Sequence, residues 1–368
     1  MSPPRAKTNL DTNAVVAGLL RDLSAAKSDR QSSLGYKRAA GAVFDLEEPL
    51  ESYVEPGGAL RKIANVGPKS ERVALDVLRT GGSEYVETTV RASENADDVA
   101  QGRAVRENFM SRARVLEALA APAPGAIEVS DYRGDLQMHS TWSDGRQTLE
   151  DIIEAALERG YAFCGVTDHS YGLRIARGVS MADLAEEHRE IDALNQRYEG
   201  RFRLIKGIEA NVMPDGSIDM KPDELARLEF VVAAPHSALR TPADQTARMV
   251  TAVRAHGVHI LGHPRGRHYS ERLGIQADWP EVFAAAANAN VAVEVDGDPW
   301  RQDVDFELAR DALAAGCLFA LDSDAHSPPE LRNAEIAVAH ARLAGVPADR
   351  VINCWPFDRL MDWFADRR

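Results

Sequence analysis

Seven times between Asp131 and His326 an apolar, β-favouring run ends at a His, Asp or Glu, and the stretches between these endings are helix-length and amphipathic. The endings read Gln137-Met138-His139, Asp168-His169, Ile208-Glu209, Pro235-His236, Gly262-His263, Val293-Glu294 and Asp324-Ala325-His326. Alternation of this kind calls for parallel strands joined by crossover helices, and about seven such units can curl into a barrel. The fold class expected is therefore α/β, with strands near 132–138, 161–167, 203–209, 229–235, 258–262, 291–296 and 317–322. In such barrels the chemistry gathers where strands end. One His at a strand end is commonly a structural residue; the same ending repeated along the chain argues for a metal cluster.

A strand of period two sends Gln137 and His139 to one side, and Asp324 and His326 repeat that spacing after the last strand. Glu209 offers a carboxylate able to bridge two cations. Imidazole and carboxylate together suit zinc, manganese or iron, and two or three divalent ions are expected. The alternative, a metal-free strand mouth of ion pairs and hydrogen bonds, stays open at this point. A cluster of this composition suits phosphate-ester hydrolysis, because divalent cations lower the pKa of water and neutralise phosphoryl oxygens. His263-Pro264-Arg265-Gly266-Arg267 adds two guanidinium groups after a ligand strand, and Arg265 and Arg267 are the expected phosphate contacts. His188, His256, His259, His268 and His340 read as surface or packing residues, and Glu294 and Asp298 as neighbours of the mouth.

The 368 residues leave room for a second, smaller unit. No stretch approaches the roughly 20 apolar residues of a membrane span. The polar start of the chain lacks the apolar core of a signal peptide, so a cytoplasmic protein without membrane contact is expected. Cys164, Cys317 and Cys354 match no zinc or redox spacing and read as free thiols. The net charge of −14 is unevenly spread, with 17 Lys and Arg against 18 Asp and Glu up to residue 130 and 26 against 39 after it. The acidity belongs to the strand-bearing part, where bound cations would offset some of it. A protein that coats nucleic acid indiscriminately is excluded, but a DNA substrate is not.

Residues 1–82 read as a small helical domain, 83–130 as a helical linker broken by Ala121-Pro122-Ala123-Pro124-Gly125, and 131–368 as the barrel. Within the first part, residues 60–70 place a Val66-Gly67 turn between two helical segments, the pattern of a helix-hairpin-helix. In that motif Val66, Gly67 and Lys69 would hold a DNA phosphate at a helix N-terminus. An ordinary helical hairpin without a ligand is the competing reading.

Asp135-Leu136-Gln137-Met138-His139-Ser140-Thr141-Trp142-Ser143-Asp144-Gly145, Thr167-Asp168-His169-Ser170, Pro235-His236-Ser237, Gly262-His263-Pro264 and Ser323-Asp324-Ala325-His326 together resemble the polymerase and histidinol phosphatase (PHP) domain over about residues 131 to 368. The resemblance implies a distorted seven-stranded barrel with three metal positions. It groups His139, Glu209 and Asp324 around the first, Glu209, His236 and His263 around the second, and Asp144, His169 and His326 around the third, with Asp168 supporting them. Asp324, His326 and Glu209 are the residues expected to carry catalysis. Gln137 stands where the motif has its first His, and an amide is a weaker ligand than imidazole. Residues 207–217 and 262–267 are further similar to the PHP region of bacterial family-X DNA polymerases, and residues 10–82 to their helix-hairpin-helix domain. Residues 82–130 are too few to hold a polymerase palm, and Val73 replaces the lysine used by that family in lyase chemistry, so neither activity is expected. The function that the resemblance implies is that of a metal-dependent phosphoesterase acting on DNA ends or gaps, in the 3′-to-5′ direction or on 3′-phosphates. The alternative is a phosphatase for a small phosphoester of the histidinol-phosphate or nucleotide type.

Overall fold

The computed structural model describes residues 10–367. The chain divides into a unit of Met1–Ala120 with Tyr269–Arg272 and a unit of Ala121–His268 with Leu273–Arg368. The first is helical: α1 (Thr12–Ala26), α2 (Arg30–Phe44), α3 (Pro68–Thr80), α4 (Glu84–Arg91), α5 (Ala96–Ala104) and α6 (Arg112–Ala120). Asp11 and Asp29 start α1 and α2 by accepting the N–H groups of Ala14 and Ser32, which would otherwise lack partners. α1 is central, packing on α2, α3, α4 and α5, with Val16, Ala17, Leu20 and Leu23 fully buried. Asp22 is buried on the same helix and is neutralised by Arg103 at 2.7 Å and by Arg106. Residues 83–120, expected as a linker, form α4 to α6 of this unit.

The segment read as a helix-hairpin-helix is only half helical. α3 follows the turn as expected, with Gly67 at its N-cap and Pro68 in its first turn. Before the turn, however, Leu60 bridges Val54 in antiparallel fashion, and residues 61–67 form no helix. The breakers Pro56-Gly57-Gly58 upstream and Gly67-Pro68 downstream leave too short a stretch to overcome helix nucleation. Asn65 takes the left-handed turn position, at φ 62°.

The second unit is α/β, and its strands pair with one another in parallel: β1 (Gly134–Asp135), β2 (Phe163–Val166), β3 (Arg203–Lys206), β4 (Glu209–Asn211), β5 (Val232–Ala234), β6 (Ile260–Leu261), β7 (Ala292–Asp296) and β8 (Leu318–Asp322). They form two sheets in sequence order, β1-β2-β3 and β4-β5-β6-β7-β8. Single parallel bridges, His169 with Glu209 and Met138 with Ala325, link strand ends of one sheet to those of the other. In place of the expected seven strands there are thus eight among the described residues, because the run 203–209 divides at Gly207-Ile208 into β3 and β4. The helices α7 (Leu149–Glu158), α8 (Met181–Arg197), α9 (Pro222–Leu225), α10 (Thr246–Arg254), α11 (Trp279–Asn288) and α12 (Phe306–Ala314) fill the crossovers, and α13 (Ala334–Ala344) and α14 (Phe357–Ala365) follow the last strand.

β1 is shorter than the 132–138 run because side chains take over its ladder. The N–H groups of Leu136, Gln137 and Met138 donate to Asp322 Oδ1, Asp135 Oδ1 and Thr167 Oγ1. The core joins residues of both sheets, among them Leu136, Phe163, Ile205, Phe230 and Ile260, to Leu360, Trp363 and Phe364 of α14. Phe230 stacks on Phe364 with ring centroids 4.9 Å apart, and its ring occupies the space where a Cβ on Gly165 or Gly207 would stand. Phe364→Ala should therefore cost about 3–5 kcal/mol of stability, read as a lowered urea midpoint with the slope unchanged.

Candidate metal centre

Each ligand-type side chain follows or starts a strand, as the sequence pattern requires. Gln137 and His139 come after β1, His169 after β2, Glu209 begins β4, His236 follows β5, His263 follows β6, and Asp324 and His326 follow β8. All but His236 and His326 are buried. Glu209 is the hub: Oε1 lies 2.8 Å from His263 Nε2 and 3.2 Å from His236 Nε2, while Oε2 lies 3.1 Å from His169 Nδ1 and 3.4 Å from His139 Nε2. Asp144, on the loop after β1, approaches His169 at 3.6 Å and His326 at 3.5 Å. The structure so brings together eight of the nine positions expected from sequence, and Gln137 is buried with neither amide atom hydrogen-bonded.

The placement of protons explains what this arrangement is built for. Asn211 donates through Nδ2 to Ser170 Oγ and to the Asp219 carboxylate, which fixes its amide so that Oδ1 faces His236 Nδ1 at 2.7 Å. His236 must then carry its proton on Nδ1, leaving a lone pair on Nε2 aimed at a carboxylate oxygen. His326 differs: Nδ1 donates to the Asp324 carbonyl at 2.8 Å and Nε2 faces Asp144, and although burial opposes its charge, Asp144 and Asp324 raise it to about 10, so that Nε2 also carries a proton until a cation takes its place. Lone pairs facing carboxylates repel unless a cation lies between them. The buried atoms His169 Nδ1, Glu209 Oε2 and His236 Nε2 indeed have no hydrogen-bond partner. Ligand atoms of His169, Glu209 and His236 lie within 4.8 Å of one another, and so do those of His139, Asp144, His169 and His326. Both groups fit divalent ions.

The electrostatics agree. Burial, with His139 and His236 alongside, outweighs the attraction of Glu209 and pushes His169 down to about 3, so it is neutral and able to ligate. Burial works against the charge on Glu209, yet the surrounding imidazoles hold it well below the usual carboxylate range. Burial pushes Asp135 up to about 6, and raises Asp322 and Glu294 well above their ordinary values. Asp322 and Glu294 so favour their protonated forms and spare the centre further negative charge. Glu294 accepts the backbone N–H of His263, and Asp298 those of Trp300 and Arg301, so both shape the loops around the ligands.

Asp168 is a loop anchor. It accepts the backbone N–H groups of Ser140 at 2.9 Å and Ser143 at 3.2 Å and both serine hydroxyls, pinning the segment that carries Asp144. The two expected phosphate arginines are placed differently from expectation. Arg267 is 2% exposed and donates to Asp305 and to the carbonyls of Arg301 and Gln302; Arg265 pairs with Asp305 at 2.9 Å. Position in sequence next to a ligand did not fix where these guanidinium groups point. The guanidinium that does reach the centre belongs to Arg301, whose Nη1 is 2.7 Å from Asp324 Oδ2, while Asp324 Oδ1 is 3.0 Å from His139 Nε2. Sequence reading passed over Arg301, Asn211 and Asp219, because none sits at a strand-ending pattern. The expected DNA-contact residues Val66, Gly67 and Lys69 lie at the start of α3, where Lys69 is exposed.

No protein-family model matches the chain. It is 35% identical over 228 residues to the DNA polymerase/3′-5′ exonuclease PolX of Bacillus subtilis, covering 62% of this chain and 40% of PolX. It is 27% identical over 248 residues to the probable phosphatase YcdX of Shigella flexneri serotype 5b, covering 64% of this chain and 95% of that one. Among solved structures, histidinol phosphate phosphatase from Lactococcus lactis aligns at 16% identity and a TM-score of 0.42, over 57% of this chain and 94% of that chain. The chain is thus similar in sequence to the polymerase/exonuclease PolX over part of that protein and to the probable phosphatase YcdX over nearly all of that one. It spans 40% of the length of PolX.

Asn211→Ala should free His236 to change tautomer and weaken metal affinity by about 10–100-fold, measured by competition against a chelator; unchanged affinity would remove the tautomer argument.

Proposed function

We propose that the chain is a metal-dependent phosphoesterase that shortens DNA from 3′ ends, built on a PHP-type barrel, and that it has no polymerase activity. The observation carrying this reading is the Glu209 carboxylate facing four imidazole nitrogens from four separate strand ends. Glu209, His236 and His263 would hold one cation, Asp144, His169 and His326 a second, and His139, Glu209 and Asp324 a third. Manganese, zinc or iron suits these donors. When bound, the ions would lower the pKa of water and neutralise the phosphoryl oxygens.

The chain's own residues do the rest. Asn211 and the Asp324 carbonyl set the His236 and His326 tautomers, and Glu209 holds its imidazole neighbours to a common point. Arg301 is the phosphate contact in place of Arg265 and Arg267: its side chain is 26% exposed and presents a fork of donors beside Asp324. DNA is favoured over a metabolite by the higher identity to PolX and by the additional helical unit, where Gly67 and Lys69 at the start of α3 offer a phosphate contact. α4 to α6 occupy the stretch where a palm would lie, and β-structure up to residue 120 is limited, among the described residues, to the bridge of Val54 with Leu60. Among the described residues no helix is long and apolar enough to cross a membrane, and the three free cysteines suit the cytoplasmic placement expected from sequence.

The second reading, a phosphatase for a small phosphoester, is favoured by the phosphatase relative matched over 95% of its length. Manganese-loaded protein incubated with 5′-labelled oligonucleotides should give a ladder of products shortened at the 3′ end. Turnover of histidinol phosphate or a nucleotide far above that of DNA would instead establish the phosphatase. Asp324→Ala and His326→Ala should each abolish hydrolysis with circular dichroism unchanged, and Arg301→Gln should lower kcat/KM by about a hundredfold.

A further inference from the structure

The loop that follows His169 is built as a stiff projection. Its base is tied to the centre: Ser170 N–H donates to the Glu209 carbonyl at 2.9 Å, Val179 N–H donates to the His169 carbonyl at 2.7 Å, and Ser170 Oγ donates to Asp219 at 2.7 Å. Inside it, Leu173, Ala176, Arg177 and Gly178 donate to carbonyls within the same loop, closing one turn of 3₁₀ helix at Arg174–Ala176. A Cβ on Gly178 would stand 1.9 Å from the Ser170 carbonyl oxygen, so only glycine lets the two limbs approach this closely. Ala176 and Val179 are buried as anchors.

What the loop displays is unusual for so tightly fastened a segment. Ile175 is 93% exposed at its tip, flanked by Arg174 and Arg177, both exposed and without an ion pair among the described residues. An isolated exposed apolar side chain needs no explanation in general, but this one is held out rigidly, between two cations, on a part of the chain with 39 acids against 26 bases. Trp142, half-buried two residues before Asp144, packs in the same cluster as Tyr171 and Val179. An apolar tip between guanidinium groups matches a base face flanked by phosphates.

We propose that Ser170–Val179 is the element that engages the DNA end, with Ile175 stacking on the terminal base and Arg174 and Arg177 holding adjacent phosphates. This rests on the reading of the centre as one that acts on DNA. It explains how an acidic unit can accept a polyanion: the cations that meet the strand are carried on a projection anchored to ligand residues His169 and Glu209. The preference it confers is for an end that still carries a base.

Three substrates test it on the full manganese-loaded chain: a 5′-labelled oligonucleotide, the same oligonucleotide ending in a 3′ abasic residue, and bis(p-nitrophenyl) phosphate. Ile175→Ala should raise KM roughly tenfold on the ordinary end, with the effect absent on the abasic end and on the ester. Arg174→Gln with Arg177→Gln should raise KM on both oligonucleotides and flatten the dependence of log KM on log salt by about two. Unchanged KM on DNA that is still degraded would overturn the proposal, as would equal losses on DNA and ester, which would make the loop a mere support of the centre. A wild-type chain that cleaves the ester and leaves every oligonucleotide intact would remove the DNA reading itself, a separate failure.

Discussion

The centre depends on a carboxylate buried among imidazoles. Glu209 is 1% exposed, and an isolated carboxylate removed from water so completely would be costly enough to be driven to its neutral form. Four ring nitrogens nonetheless converge on its two oxygens from four strand ends. Two of those rings cannot offer protons freely: His236 is committed through Nδ1 to Asn211, and burial keeps His169 neutral. The remaining balance calls for external positive charge, and this one requirement turns a strand mouth into a place for divalent ions.

The neighbouring residues obey the same constraint. Asp219 and Ser170 set Asn211, which sets His236; Asp168 pins the loop that delivers Asp144; Arg301 neutralises the outer oxygen of Asp324. The buried acids Asp135, Asp322 and Glu294 serve as acceptors for backbone N–H groups that a longer β1 and β6 would have paired in the ladder. Short strands and side-chain acceptors are two sides of one arrangement, in which ladder hydrogen bonds are given up where the chain must turn ligands toward a common point.

Much of this was legible in the residues. Strand ends are visible because apolar runs stop abruptly at polar residues, and the ligand set is visible because His and carboxylates recur at those stops. The ligand-type side chains that the structure gathers, His139, Asp144, His169, Glu209, His236, His263, Asp324 and His326, are among those the chain's pattern and resemblance single out. Two readings failed for identifiable reasons. Arg265 and Arg267 sit next to a ligand in sequence, but a guanidinium at the end of a long flexible side chain goes to the nearest acceptor, here Asp305. Residues 60–65 read as a helical segment, yet Pro56-Gly57-Gly58 before them and Gly67-Pro68 after them keep them out of a helix and let Leu60 bridge Val54.

The sequence by itself determined the strand-helix alternation, the succession of a helical and an α/β part, and which strand ends carry ligand-type side chains, because these depend on local periodicity and on chemistry carried by single residues. Only the tertiary structure decided which proton each histidine carries, that Arg301 rather than Arg265 or Arg267 reaches the centre, and that Ile175 stands exposed between two arginines. Those properties depend on partners brought together from positions far apart in the chain, and no local pattern records the direction in which a side chain will find its acceptor.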